Sequence, residues 1–167
     1  MNKYLWVYSL WMTITTCIYA FLYISSPLGN YGVMWMTFVA LPIFFTSGAK
    51  LNEVPHYLCS MIAGLLWGLI NLAFVGFLSK AGCSPAVANA INLLVLTIPC
   101  VGLHLTVLGN TWFNKVPMIF GGLAMTFSQG GKNMIPIGIT LALGILLGEI
   151  YALGGSWLEK KMIRQAD

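Results

Sequence analysis

The stretch "TFVALPIFFTSGAK" at Thr37–Lys50 is written a second time, in altered letters, as "IFGGLAMTFSQGGK" at Ile119–Lys132. Laid over one another, Phe38, Leu41, Phe45, Gly48 and Lys50 face Phe120, Leu123, Phe127, Gly130 and Lys132. Thr46 meets Ser128 and Ala49 meets Gly131, while Ser47 and Gln129 complete the two turns. With one two-residue gap the match carries on downstream, where Ser60, Gly64 and Gly68 fall on Thr140, Gly144 and Gly148. Upstream, the "LGN" of Leu28–Asn30 recurs at Leu108–Asn110. Apolar runs resemble one another by chance, but these identities sit on loops, glycines and lysines in one consistent order. The chain therefore divides into two copies, about residues 1–80 and 81–167.

The solvent decides what each copy is. Of the 167 residues, 59% are hydrophobic and only 7% charged, against about 25% charged in soluble domains. So few charges cannot cover a water-facing surface, whereas lipid asks for none. The pattern is that of an integral membrane protein. Its N-terminal apolar run is longer than a signal-peptide core and lacks a small-residue cleavage site, so it reads as a retained span. The net charge of +4 is an orientation signal rather than a nucleic-acid footprint. Four scattered cysteines fit neither a disulfide framework nor a metal site.

A helix needs roughly 20 apolar residues to cross a bilayer. Cutting at Gly, Pro, Asn and Lys clusters gives six candidates: Leu5–Ile24, Tyr31–Thr46, Pro55–Leu78, Pro85–Leu108, Val116–Ser128 and Ile135–Leu153. The second and fifth are short: such spans either thin the bilayer locally or stop partway as half-helices lining a cavity. With six spans both termini share a side. That side carries Lys3, Lys50, Lys115, Lys160, Lys161 and Arg164, and the other only Lys80 and Lys132. The positive-inside rule puts both termini in the cytoplasm, and Trp6, Trp35, Trp112 and Trp157 near span ends suit interfacial anchors. The expected fold is all-α: two three-span repeats, the second inverted because three is odd. In such proteins the working site lies near midplane, between the repeats.

"FFTSGAKLNEVPHYLCSMIAGLLWGLI" and "TFSQGGKNMIPIGITLALGILLGEIYALGGSWLEKK" resemble the two repeat segments of the YcdZ-like bacterial inner-membrane proteins, a family with no assigned function. The Phe-x-x-Gly-x-Lys turn followed by a Gly-rich span is the most specific part. The resemblance implies a small polytopic protein of the bacterial inner membrane. It implies no substrate.

Residue chemistry has to supply the rest. Ser60, Gly64, Gly68 and Thr140, Gly144, Gly148 each put small residues on one helix face, predicting close packing of the third span against the sixth. The Gly-Lys turns, each followed by an Asn and then a Pro, suit helix starts and interfacial anchoring. An anion at the helix N-terminus is the functional alternative. Glu149 sits inside a span, where a carboxylate costs about 2.5–3.5 kcal/mol and so faces protein or water. His104, the one in-span histidine, has similar sequence depth, so the two suit a proton-sensitive gate or a structural pair. Asn71, Asn89 and Asn92 place amides in the other half, for a small polar solute or for helix–helix hydrogen bonds. Glu53 and His56 beside the turn are expected to be solvated.

No catalytic motif is found, so no enzyme, cofactor or metal is expected. The pattern favours a channel or facilitator for a small polar solute or ion, as a homo-oligomer in the lipid bilayer. A non-conducting assembly or regulatory subunit is the alternative, and a proton-coupled carrier the weaker one.

Overall fold

The computed structural model describes residues 2–163, so Arg164 of the basic tail lies outside the described residues. Within them the chain is all-helical. Six α-helices are present: α1 (Asn2–Ser25), α2 (Thr37–Thr46), α3 (Val54–Lys80), α4 (Pro85–Leu105), α5 (Val116–Ser128) and α6 (Met134–Ile163).

Length sorts them. At 1.5 Å per residue, α1, α3, α4 and α6 run about 30–45 Å, while α2 and α5 reach only about 15–20 Å. Among the described residues four helices, the long ones, are apolar and long enough to cross a membrane, consistent with a membrane protein. The chain before α2 folds into short 3-10 turns at Pro27–Tyr31 and Met34–Met36, with Val33 and Met36 fully buried. A span starting at Tyr31 is thereby corrected to a helix starting at Thr37, because this segment needs its irregular turns to turn Val33 and Met36 inward. The sixth helix runs past Leu153 to Ile163. Gly154 and Gly155 read as a helix end, yet they are seats for the Trp11 indole and the Tyr8 ring of α1.

α2 and α5 stop in the same way. After α2, Gly48 (φ 91°) and Ala49 (φ 47°) are left-handed, as are Gly130 (φ 57°) and Gly131 (φ 77°) after α5. The Gly48 amide donates to the Phe45 carbonyl and the Ala49 amide to that of Phe44, at 3.1 and 3.3 Å. The Gly130 and Gly131 amides bond the Phe127 and Thr126 carbonyls, each at 3.0 Å. This left-handed closure satisfies helix-end carbonyls that would otherwise be orphaned.

Packing pairs α3 with α5 and α2 with α6. A Cβ on Gly64 would strike the Ile119 carbonyl, and one on Gly144 the Thr37 carbonyl. Four residues on, Gly68 faces the Thr126 side chain and Gly148 the Phe44 ring. The expectation that the two glycine faces meet each other is therefore corrected: each receives a short helix instead. The reason is complementarity in size, since α5 brings Gly122 to the contact with α3 and α2 brings Ala40 to the contact with α6. The long helices α3 and α6 also touch, near Leu65 and Gly138. α1 flanks α6 and α4 flanks α3. The core holds Tyr23, Met36, Phe44, Tyr57, Met118, Ile137, Leu141 and Ile145.

Candidate functional site

One face of α3 is where polar chemistry collects. Glu53, His56, Ser60, Gly64, Trp67 and Asn71 recur every three or four residues, so they share a stripe. The stripe is about 27 Å long at helical rise, close to the roughly 30 Å of a hydrocarbon core. Against it lie α4 and the segment joining α4 to α5. On α4 the buried positions are Ala88, Asn92, Cys100 and His104, each a multiple of four residues from the next, so they too form a stripe.

At one end of the α3 stripe, the Lys115 ammonium pairs with the Glu53 carboxylate at 2.7 Å and lies 5.2 Å from the Tyr57 ring centre. The Lys115 backbone amide donates to Ser60 Oγ at 3.0 Å, and Ser60 donates to the Trp112 carbonyl at 3.4 Å. His56 Nδ1 bonds Asn114 Oδ1 at 3.0 Å. Glu53 and His56 are thus not simply solvated. Both are half-buried, because the loop before α5 folds down over the first turns of α3 and gives each a partner. Sequence spacing does not carry that information, since both partners lie far along the chain.

His104 follows. Its Nδ1 donates to the Phe113 carbonyl at 2.6 Å, and its Nε2 accepts from the Trp67 indole N–H at 3.1 Å. A carbonyl only accepts and an indole only donates, so this arrangement suits the neutral ring protonated at Nδ1. Both ring nitrogens are engaged, and the pairing with Glu149 expected from sequence depth is not made. Glu149 lies half-buried on α6, at the margin of an exposed apolar stripe of Ile135, Ile139, Leu146, Ile150, Leu153 and Trp157. No hydrogen bond or ion pair to it is found among the described residues.

At the far end Asn71 and Asn92 are both buried. Asn71 Nδ2 donates to the Trp67 carbonyl at 2.7 Å, and Asn92 Nδ2 donates to Asn71 Oδ1 at 2.8 Å. Asn89 does not join them. It is exposed and donates to the Pro85 carbonyl at 2.8 Å.

The turn motifs are local. Thr46 and Ser47 bond back to the Pro42 and Ile43 carbonyls, and Ser128 to that of Met125. Gln129 accepts from the Asn133 side-chain Nδ2 at 3.3 Å, within the turn before α6. Asn52 does not cap α3: Glu53 stands at that position and makes no side-chain cap bond. Lys50 and Lys132 are exposed.

Trp67, Trp112, Phe113, Asn114 and Lys115 belong to the polar seam but were not singled out as candidate site residues from the sequence. The signal available was a Ser-Gly-Trp-Asn spacing on α3 opposite a loop rich in Asn and Trp. Ser60 and Thr140, counted as packing residues, both carry hydrogen bonds as well, Thr140 to the Tyr23 hydroxyl and the Pro136 carbonyl.

The family described as a protein of unknown function (DUF1097) matches the chain over residues 9–156. No curated protein and no solved structure matches it.

Proposed function

The chain belongs to the DUF1097 family, and on that footing we propose that it is a membrane conduit, a channel or facilitator for a small polar solute. The observation that carries this is the polar seam along α3. It is nearly as long as a bilayer core is thick, and it is made of amide, hydroxyl, indole and imidazole groups. Its only ions, Glu53 and Lys115, neutralise one another at one end. A seam of that kind favours a neutral solute over an ion.

The architecture proposed with it is six helices in two inverted three-helix repeats, residues 1–80 and 81–167, with α2 and α5 as half-helices. Under the sequence register, the contact of Gly64 with Ile119 maps onto that of Gly144 with Thr37. Gly68 with Thr126 likewise maps onto Gly148 with Phe44. The seam then runs between the first repeat, through α3, and the second, through α4 and α5. We place the protein in a bacterial inner membrane, both termini in the cytoplasm, as a homo-oligomer. The apolar stripe on α6, and Glu149 beside it with no partner among the described residues, support a neighbouring copy there.

A second reading, a non-conducting assembly subunit, draws on the fact that most seam groups pair with one another, as helix staples do. Uptake of water, urea, glycerol and small ions into proteoliposomes of the purified protein separates the two. Selective uptake of a neutral solute above empty liposomes is expected. No uptake of any probe by folded, reconstituted protein would leave the assembly subunit in its place.

A further inference from the structure

The seam ends on an atom with nothing to bind. Asn92 is 2% exposed, and its Oδ1 has no hydrogen-bond partner. The orientation of the asparagine pair is dictated from the backbone outward. The Trp67 carbonyl can only accept, so Asn71 must turn its Nδ2 toward it. Asn71 Oδ1 then faces Asn92, and a second oxygen there would repel it. Asn92 therefore presents Nδ2 to Asn71, and its own oxygen is left over. Flipping either amide would set two acceptors or two donors face to face. A buried acceptor without a donor is rare and unfavourable, and here a helix carbonyl enforces it.

We propose that Asn92 Oδ1 is the recognition atom for a small neutral solute that donates N–H or O–H hydrogen bonds, a deepening that rests on the conduit reading above. An amide oxygen offers two lone pairs and no proton. It therefore takes a donor, rejects anions and gives no hydrogen bond to a solute that has acceptors only. Asn71 is the positioning residue: it touches the solute through Asn92, by holding the amide one way round.

Urea and acetone test this, because they are similar in shape while only urea carries donors. In the wild-type protein labelled with ¹³C at asparagine, urea is expected to shift the Asn92 carboxamide signal and acetone to leave it in place. In proteoliposomes, Asn92→Leu is expected to lower urea flux at least tenfold. Asn92→Ser, which keeps a hydroxyl but draws it back toward the helix, is expected to do the same and covers the case in which the leucine variant does not fold. Urea flux that persists unchanged in both variants, or an Asn92 signal that moves equally with acetone, overturns the assignment. If urea shifts the signal but no solute crosses, the recognition atom stands and the conduit falls.

Discussion

The pairs α2–α6 and α3–α5 are closed by the same backbone device, yet the helices that flank them are fastened by different chemistry. On the α6 side, α1 lays down aromatic rings and hydroxyls. Tyr4 donates to the Gly155 carbonyl at 3.3 Å, Tyr151 meets Thr16, Tyr23 meets Thr140, and Tyr19 meets Thr37 at 2.6 Å. On the α3 side, α4 brings Asn92 and His104 to Asn71 and Trp67. A hydroxyl that loses its partner can rotate to a helix carbonyl, as Thr16 and Thr140 already do. An amide or imidazole has fixed donors and acceptors and cannot. One side is a fastening tolerant of loss, and the other is a directional seam that ends in a spare acceptor.

The largest expected effect probes what the two sides share. Gly64→Ala and Gly144→Ala each push a methyl onto a backbone carbonyl, which cannot move aside. Each is expected to cost about 3 kcal/mol or more, read as loss of monodisperse protein in detergent. Tolerance of one but not the other would break the equivalence. Gly68→Ala meets Thr126 Cβ, which is fixed to its backbone, and is expected to cost nearly as much, whereas Gly148→Ala meets the Phe44 ring and is expected to cost about 1–2 kcal/mol in thermal unfolding.

The next pair sharpens the difference. Asn92→Leu removes the bond to Asn71 and exchanges one spare buried acceptor, Asn92 Oδ1, for another, Asn71 Oδ1, so about 1–1.5 kcal/mol is expected. Tyr23→Phe leaves Thr140 still bonded to Pro136, so about 0.6 kcal/mol is expected, the average for hydrogen bonds between membrane helices. Equal losses in the two variants would sink the contrast between a tolerant and a directional side. Smallest is Glu53→Gln. Its ion pair with Lys115 is about a quarter exposed at each side chain, so about 0.5 kcal/mol is expected. That loss shrinks as salt is raised, which unfolding at two ionic strengths checks.

Part of the frame was legible in the sequence. The Gly-Lys turns marked breaks between helices, read as helix starts rather than as the left-handed stops they form, and the small-residue faces at Gly64 and Gly144 marked where backbones approach closely. What those faces touch was not legible. Periodicity along a helix says which face is small but not which helix arrives there, and only the matching small residues Gly122 and Ala40 hinted at the short partners. Gly154 and Gly155 misled for a related reason. A glycine pair that ends helices in water serves as a socket for Trp11 and Tyr8 where no water competes for the backbone. Of the candidate site, Asn71, Asn92 and His104 were found as in-span polar residues. Their partners Trp67 and Phe113 were hidden, since an indole and a backbone carbonyl in an apolar chain carry no sequence signal.

The crossed partnership of short and long helices also bears on how the protein is made. α2 leaves the ribosome well before the surface it packs on, which belongs to α6. The glycine face of α3 must likewise wait for α5. Neither α2 nor α3 can complete its packing early, so the fold described here closes only once α5 and α6 have been made. Closing such distant contacts carries the loop entropy of long intervening chain. Until then α2 is a short apolar segment without its seat. Cutting the connection between α3 and α4 and producing both fragments together would therefore yield two pieces that recover a stable form only by finding each other.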